Sequence, residues 1–251
     1  MICRTCGKDN QPNFRFCQDC GSPLPLEQAQ RPKEARGPQR GRLVLVRPDG
    51  SDGGAHPLNE GVNLLGRGSG PLFDADSYLS PVHVRIELGA GRPDGRCLVR
   101  DAGSLNGVFL RITEEEQLHD GCFFRIGQEL VRFDVVRQPR LLDDGTEMMG
   151  SPNPGFWGRV AIIIGRNRDG SCFPLIGDSI VLGRERGDIM FPEDGYVSGT
   201  HARVSHRHGQ FFLQDLASSN GTYLRLHGER LVANGACLLL GQQLFRIVLG
   251  A

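Results

Sequence analysis

The chain's 251 residues leave room for two ordinary domains and something smaller, and a hydrophobic content of 39% is ample for packed cores. Its 35 Gly and 15 Pro suit short strands joined by turns better than helices, and 29 basic residues balance 29 acidic ones. The balance hides an uneven distribution, but no segment carries the dense basic stripe of a nucleic-acid binder, and apolar runs no longer than the one at 160–164 exclude a membrane span.

The first element is a pair of cysteine knuckles, Cys3-x-x-Cys6 and Cys17-x-x-Cys20. Each can grip one edge of a tetrahedral Zn²⁺ while the intervening segment folds back as a hairpin. Residues 1–24 are too few to build a core, so metal binding must supply their folding free energy. A redox CxxC would need a βαβ unit around it, and none is present. The absence of an apolar signal core points to a cytoplasmic setting, which disfavours disulfides. A structural Zn(Cys)₄ site is therefore expected, with no open coordination position for catalysis. The segment resembles the short zinc ribbons at the head of many bacterial regulatory proteins; its partner is not legible. Cys97, Cys122, Cys172 and Cys237 lie in apolar runs without such spacing and read as ordinary buried residues.

Residues 25–41, rich in Pro, Gln, Arg and Gly, read as a flexible linker. Beyond it the chain repeats itself. Leu65-Gly66-Arg67 returns as Leu182-Gly183-Arg184, and Ser80-x-x-His83 as Ser198-x-x-His201. Asp101, Ser104 and Asn106-Gly107 return as Asp215, Ser218 and Asn220-Gly221. Register that holds within blocks and slips only at turns means two copies of one domain, at 42–137 and 158–251, joined by a Pro- and Gly-rich linker at 138–157.

Within the second copy, apolar or period-two runs predict strands at 159–164, 179–182, 202–204, 211–215, 222–224, 236–240 and 244–249. No sustained 3.6-residue period accompanies them. Short strands at this spacing, with Gly, Asn and Asp between them, predict an all-β fold of two β-sandwiches behind the ribbon.

Each copy presents Gly-Arg at a strand end, then Ser-x-x-His, then Asn-Gly, in that order. Singly each is weak; Asn-Gly, for example, is first of all a hairpin turn. Together and twice, they resemble the forkhead-associated (FHA) domain family across nearly the whole chain after the ribbon. The resemblance implies β-sandwiches whose end loops bind phosphothreonine peptides. Carried over by position, Arg184 would pair with the phosphate, with the Ser198 hydroxyl and the Gly199 N–H beside it. Asn220 would clamp the peptide main chain, supported by Ser219. His201, and His83 in the first copy, would be structural, and Gly183 and Gly221 would allow the turns. Charge-assisted donors of this kind are what a phosphate with three strong acceptors demands.

The first copy keeps Arg67, Ser80 and Asn106 but has Pro81 where the second has Gly199, and Leu105 where it has Ser219. Proline offers no N–H, so this copy is expected to be a degenerate, weak reader. No P-loop, catalytic triad or dinucleotide loop appears, and a non-catalytic adaptor is the reading. The implied partners are threonine-phosphorylated proteins, either Ser/Thr kinase substrates or the kinase itself. The alternative, a transcription-associated protein whose ribbon and basic linker contact nucleic acid, is disfavoured by the ribbon's mixed charge.

Overall fold

A computed structural model describes residues 2, 5–8, 37–89, 95–137, 142–147, 149–166 and 168–250. Of the proposed zinc ligands, Cys3, Cys17 and Cys20 lie outside the described residues; Cys6 is exposed. The described residues form strands and turns with no helix, and none could cross a membrane as a helix.

The first repeat supplies β1 (Gln39–Val46), β2 (Asp52–Asn59), β3 (Gly61–Leu65), β4 (Val84–Leu88), β5 (Arg96–Asp101), β6 (Val108–Arg111), β7 (Glu116–Leu118), β8 (Cys122–Ile126) and β9 (Glu129–Val135). The second supplies β10 (Gly158–Gly165), β11 (Arg168–Leu175), β12 (Ser179–Gly183), β13 (Ile189–Met190), β14 (Ala202–Arg207), β15 (Gln210–Asp215), β16 (Thr222–Arg225), β17 (Glu229–Ala233), β18 (Cys237–Leu240) and β19 (Gln243–Leu249). All seven strands expected in the second repeat are present. The sequence pattern missed β11, whose Asp, Gly and Pro mask an exposed edge strand, the two-residue β13, and β17, with a single buried residue.

The structure departs from the expectation that each repeat folds on itself. The strands form a ten-stranded sheet in the order β11-β10-β9-β8-β16-β6-β18-β19-β1-β2, a five-stranded sheet β13-β12-β14-β15-β7 and a four-stranded sheet β17-β5-β4-β3. The last three strands of each repeat thus complete the other repeat's sandwich. One core joins Leu43, Val84, Ile86 and Val108 to Val232, Leu238, Phe245 and Ile247 of the second repeat. The other joins Val160, Leu182 and Leu213 to Leu118, Phe124, Ile126 and Phe133 of the first.

The crossover lies at the middle of the long sheet. There β6 and β16, equivalent strands of the two repeats, pair antiparallel with Leu110 opposite Leu224. Ile112 N–H donates to Thr222 O, and Leu226 N–H to Val108 O, at 2.9 and 2.8 Å. This closes the junction with pseudo-twofold symmetry. On the outer face Phe109, Tyr223 and Leu239 are buried against Phe123, Leu130 and Leu244, an apolar cluster that exists only because the half-sheets are continuous. Ion pairs also cross between repeats, including Arg132–Asp169 at 2.7 Å, Arg100–Glu229, Arg207–Glu115 and Arg230–Glu116.

Of the four later cysteines, Cys97 is buried and Cys122 and Cys237 are half-buried. Cys172, expected inside, is exposed, because its strand β11 is the sheet's edge.

Candidate functional site

At one end of the second sandwich, three loops converge. The first leaves β12 at Gly183-Arg184. Gly183 was expected to permit a turn, but its φ is not positive. A Cβ there would lie 3.1 Å from Gly199 C and closer still to the carbonyl oxygens of Arg186 and Gly199. Glycine is required for room. Arg184 N–H donates to Ser198 O at 2.9 Å and Arg186 N–H to Gly199 O at 2.9 Å, tying this loop to the one carrying the serine. The Arg184 guanidinium rests on Glu185 at 2.7 Å.

The second loop is held from inside by His201, which is fully buried. Ser198 N–H donates to His201 Nδ1 at 3.0 Å, so Nδ1 is the acceptor nitrogen and Nε2–H donates to Gly221 O at 3.1 Å. Burial holds the imidazole below its ordinary range, although the Gly221 carbonyl and nearby carboxylates oppose the shift. The ring is a neutral strut between two loops. His83 repeats the arrangement with Ser80 and Gly107, at 3.1 and 2.9 Å, and burial pushes it in the same direction.

The third loop presents Ser219 and Asn220, both exposed. Ser219 N–H donates to Ser198 Oγ at 3.0 Å, so the Ser198 O–H remains able to donate outward. Asn220 Nδ2 donates to Tyr196 O at 2.8 Å, which orients the amide and turns its oxygen toward incoming N–H groups. Asp215 folds the loop: its carboxylate accepts from Ser218 N–H at 2.9 Å and from the Ser218 and Thr222 hydroxyls, each at 2.6 Å. Burial pushes this carboxyl up, but those bonds outweigh it and hold it below the ordinary carboxylate value. Gly221 does require the left-handed region, with φ 84°.

The first repeat builds the same frame. Leu105 N–H donates to Ser80 Oγ at 3.0 Å, Asn106 Nδ2 to Tyr78 O at 2.8 Å, and Arg67 N–H to Ser80 O at 2.9 Å. Because this bond to the serine comes from the main chain, replacing Ser219 by Leu105 preserves the loop and removes only the hydroxyl. Leu105 is 63% exposed.

Two contributions escaped the sequence reading, one from a pair of residues and one from a single arginine. Asp194 and Tyr196, like Asp76 and Tyr78, precede the serine in a repeated Asp-x-Tyr-x-Ser pattern that could have revealed them. Asp194 Oδ1 accepts Tyr196 N–H at 2.9 Å, and Tyr196 then holds Asn220. Arg186 is the other: its guanidinium lies 3.9 Å from where a Gly199 Cβ would stand, whereas the first repeat has Ser69 there.

The FHA domain family matches residues 64–127 and again 162–241, more than half of the chain. The chain belongs to the FHA domain family. Residues 1–25 match a domain of unknown function, DUF7577. Among curated proteins, the FHA domain-containing protein FhaB of Mycolicibacterium smegmatis and that of Mycobacterium tuberculosis are each 36% identical over 55 residues, 22% of this chain. The chain spans about a third of the length of these FHA relatives (36%). Similar solved structures include Mycobacterium tuberculosis EmbR in complex with a low-affinity phosphopeptide, at 24% identity over 33% of this chain and 22% of EmbR, with a TM-score of 0.20. A structure from a study of phosphothreonine-dependent FHA domain interactions is 26% identical over 33% of this chain and 88% of its own, with a TM-score of 0.21. The FHA domain of CT664 from Chlamydia trachomatis is 23% identical over 35% and 93%, with a TM-score of 0.21.

Proposed function

We propose that the protein is a phosphothreonine-peptide-binding adaptor in Ser/Thr kinase signalling that reads its ligand mainly through the second repeat's loops. The observation that carries this is the donor geometry around Ser198. Its hydroxyl accepts from Ser219 N–H and keeps its own hydrogen to donate, while Arg184 is tied to the same residue's carbonyl. An outward O–H beside a guanidinium fork, with the Asn220 amide held next to them, offers a phosphate charge-assisted donors and the adjoining main chain an acceptor. A second guanidinium, Arg186, adds to the field at Gly199. The adaptor's other end is the amino-terminal segment. There Cys3, Cys6, Cys17 and Cys20 form an all-thiolate donor set suited to a structural Zn²⁺, whose binding would order the segment for a separate partner.

Titration calorimetry of the full chain with a phosphothreonine peptide library tests this. Binding should require the phosphate and should be lost in Arg184→Ala while Arg67→Ala retains most of it. Persistence of phosphate-dependent binding in Arg184→Ala would place the site elsewhere.

A further inference from the structure

The strand exchange brings side chains of the first repeat onto the second repeat's recognition loop. Arg111, at the end of β6, lies against Gly221: a Cβ on that glycine would stand 2.9 Å from Arg111 Cζ and nearer still to Nε. The Arg111 side chain therefore packs against the residue that follows Asn220. Arg125 of β8 pairs directly opposite Tyr223 of β16, and Tyr223 O–H donates to Asn220 O at 2.9 Å. Arg111, Arg125, Tyr196, Asn220, Tyr223 and Gln243 line one cleft of about 850 Å³ that opens beside the peptide-clamping amide.

Two features of this cleft ask for a ligand. Among the described residues, neither Arg111 nor Arg125 takes part in an ion pair, and Arg125 Nε is spent only on Gly127 O at 3.1 Å. Burial pushes the Arg125 guanidinium down from its ordinary value, the sign of a charge short of compensation. Asp194, the carboxylate whose charge acts on Arg125, is already accepting from Gln128 N–H at 2.6 Å and Tyr196 N–H at 2.9 Å. Asp49 also borders the cleft, but it is held by the Ser51 amide and hydroxyl, at 2.9 and 2.6 Å. In addition, Gln243 Oε1 is the buried side-chain polar atom left without a hydrogen-bond partner among the described residues. Gln243 lines the cleft, and a turn of its side chain would offer that acceptor to an N–H of a peptide main chain.

Resting on the phosphothreonine reading above, we propose that this cleft receives the residues flanking the phosphothreonine and that Arg111 and Arg125, contributed by the other repeat, select an acidic side chain there. A carboxylate between two guanidiniums gains charge-assisted hydrogen bonds that a neutral amide cannot match. Specificity of the second reader is then written partly in the first repeat, which gives the degenerate copy a use.

The test uses the full chain and one phosphothreonine peptide in which each flanking position is set in turn to Glu or Gln. At one position the Glu peptide should bind about tenfold more tightly than its Gln counterpart. Arg111→Gln and Arg125→Gln should bring that ratio toward one. Arg225→Gln, the symmetry mate of Arg111 resting on Gly107, should keep the wild-type ratio. Melting curves accompany each variant, and Arg111→Lys, which keeps the charge but not the fork, should leave an intermediate ratio even if Arg111→Gln folds poorly. Phosphate-dependent binding without a Glu preference at any position would overturn the selection alone, as would a ratio unchanged in both Gln variants. No phosphate-dependent binding at all would overturn the functional reading and the selection with it.

Discussion

The backbone N–H of Gln242 donates to Asp76 Oδ2 at 2.9 Å, joining residues 166 positions apart in the chain. Its symmetry mate joins Gln128 to Asp194 at 2.6 Å. In each case a carboxylate at the root of one repeat's serine loop is capped by the turn between the last two strands of the other. The recognition loops are therefore braced across the exchange, and neither sandwich is complete without both repeats.

The linker at 138–157 should accordingly be dispensable for holding the halves together. A chain cleaved by protease at a site inserted after Gly150 should elute from size-exclusion at the intact size and come apart only in denaturant. Separation in native buffer would show that each repeat closes on itself. Phe245→Ala should cost about 3–5 kcal/mol, because its ring stacks on Phe73 of the other repeat at 5.2 Å in a fully buried core.

The strands, their alternation and the order Arg, Ser, His, Asn were legible because each has a local cause: period-two burial, turn chemistry and a repeated spacing. The exchange was not. Leu238, Leu240 and Phe245 repeat the pattern of Phe124, Ile126 and Val131, so either set satisfies either sandwich, and periodicity is blind to which one does. Gly183 was likewise recognised as necessary but for the wrong reason, since crowding by Gly199 depends on a residue far along the chain. Arg111 and Arg125 were not legible as site residues, because nothing local in the sequence connects them to Asn220.

Acid should loosen both recognition ends. The unfolded chain protonates its histidines near 6.5, whereas burial keeps His83 and His201 neutral to lower pH in the folded state. The unfolded state then binds more protons across that window, so stability is full above about 6.5 and falls as pH drops through it. Protonation would also set an Nδ1–H against the Ser198 N–H. Melting temperature should decline from pH 7.5 to 5.5, and less steeply in a His83→Gln/His201→Gln double variant. Equal slopes would remove these residues from the account.

Ala217 holds a φ of 56° in the loop before Asn220, where the first repeat has Gly103 at 83°. A left-handed alanine is strained by roughly 1 kcal/mol. Ala217→Gly should therefore stabilise the protein slightly or leave it unchanged, whereas Gly103→Ala should destabilise it, as read by chemical denaturation.

Zinc content should be about one ion per chain, by the four-thiolate reading of Cys3, Cys6, Cys17 and Cys20. Cys17→Ser should remove the metal while the main melting transition, which belongs to the sandwiches, stays where it was. Metal analysis of purified protein that found no zinc would end that assignment.

The two recognition ends should differ in strength although they share the bonds that fix their serine and asparagine. Both hold their serine through its amide on a buried histidine and both hold their asparagine on a tyrosine carbonyl, so the difference must lie in donors rather than in shape. Pro81 removes an N–H where Gly199 has one, Leu105 removes the hydroxyl of Ser219, and Ser69 stands in place of Arg186 with its Oγ already accepting from Gly66 N–H at 2.9 Å. A hydrogen bond to a charged group is worth about 1.5–3 kcal/mol, so losing one weakens binding about ten- to a hundredfold. In the Arg184→Ala background, which silences the second end, Pro81→Gly with Leu105→Ser should raise phosphothreonine affinity measurably, and Arg67→Ala should abolish the gain. If the double replacement adds nothing while the fold is intact, missing donors are not what separates the two ends.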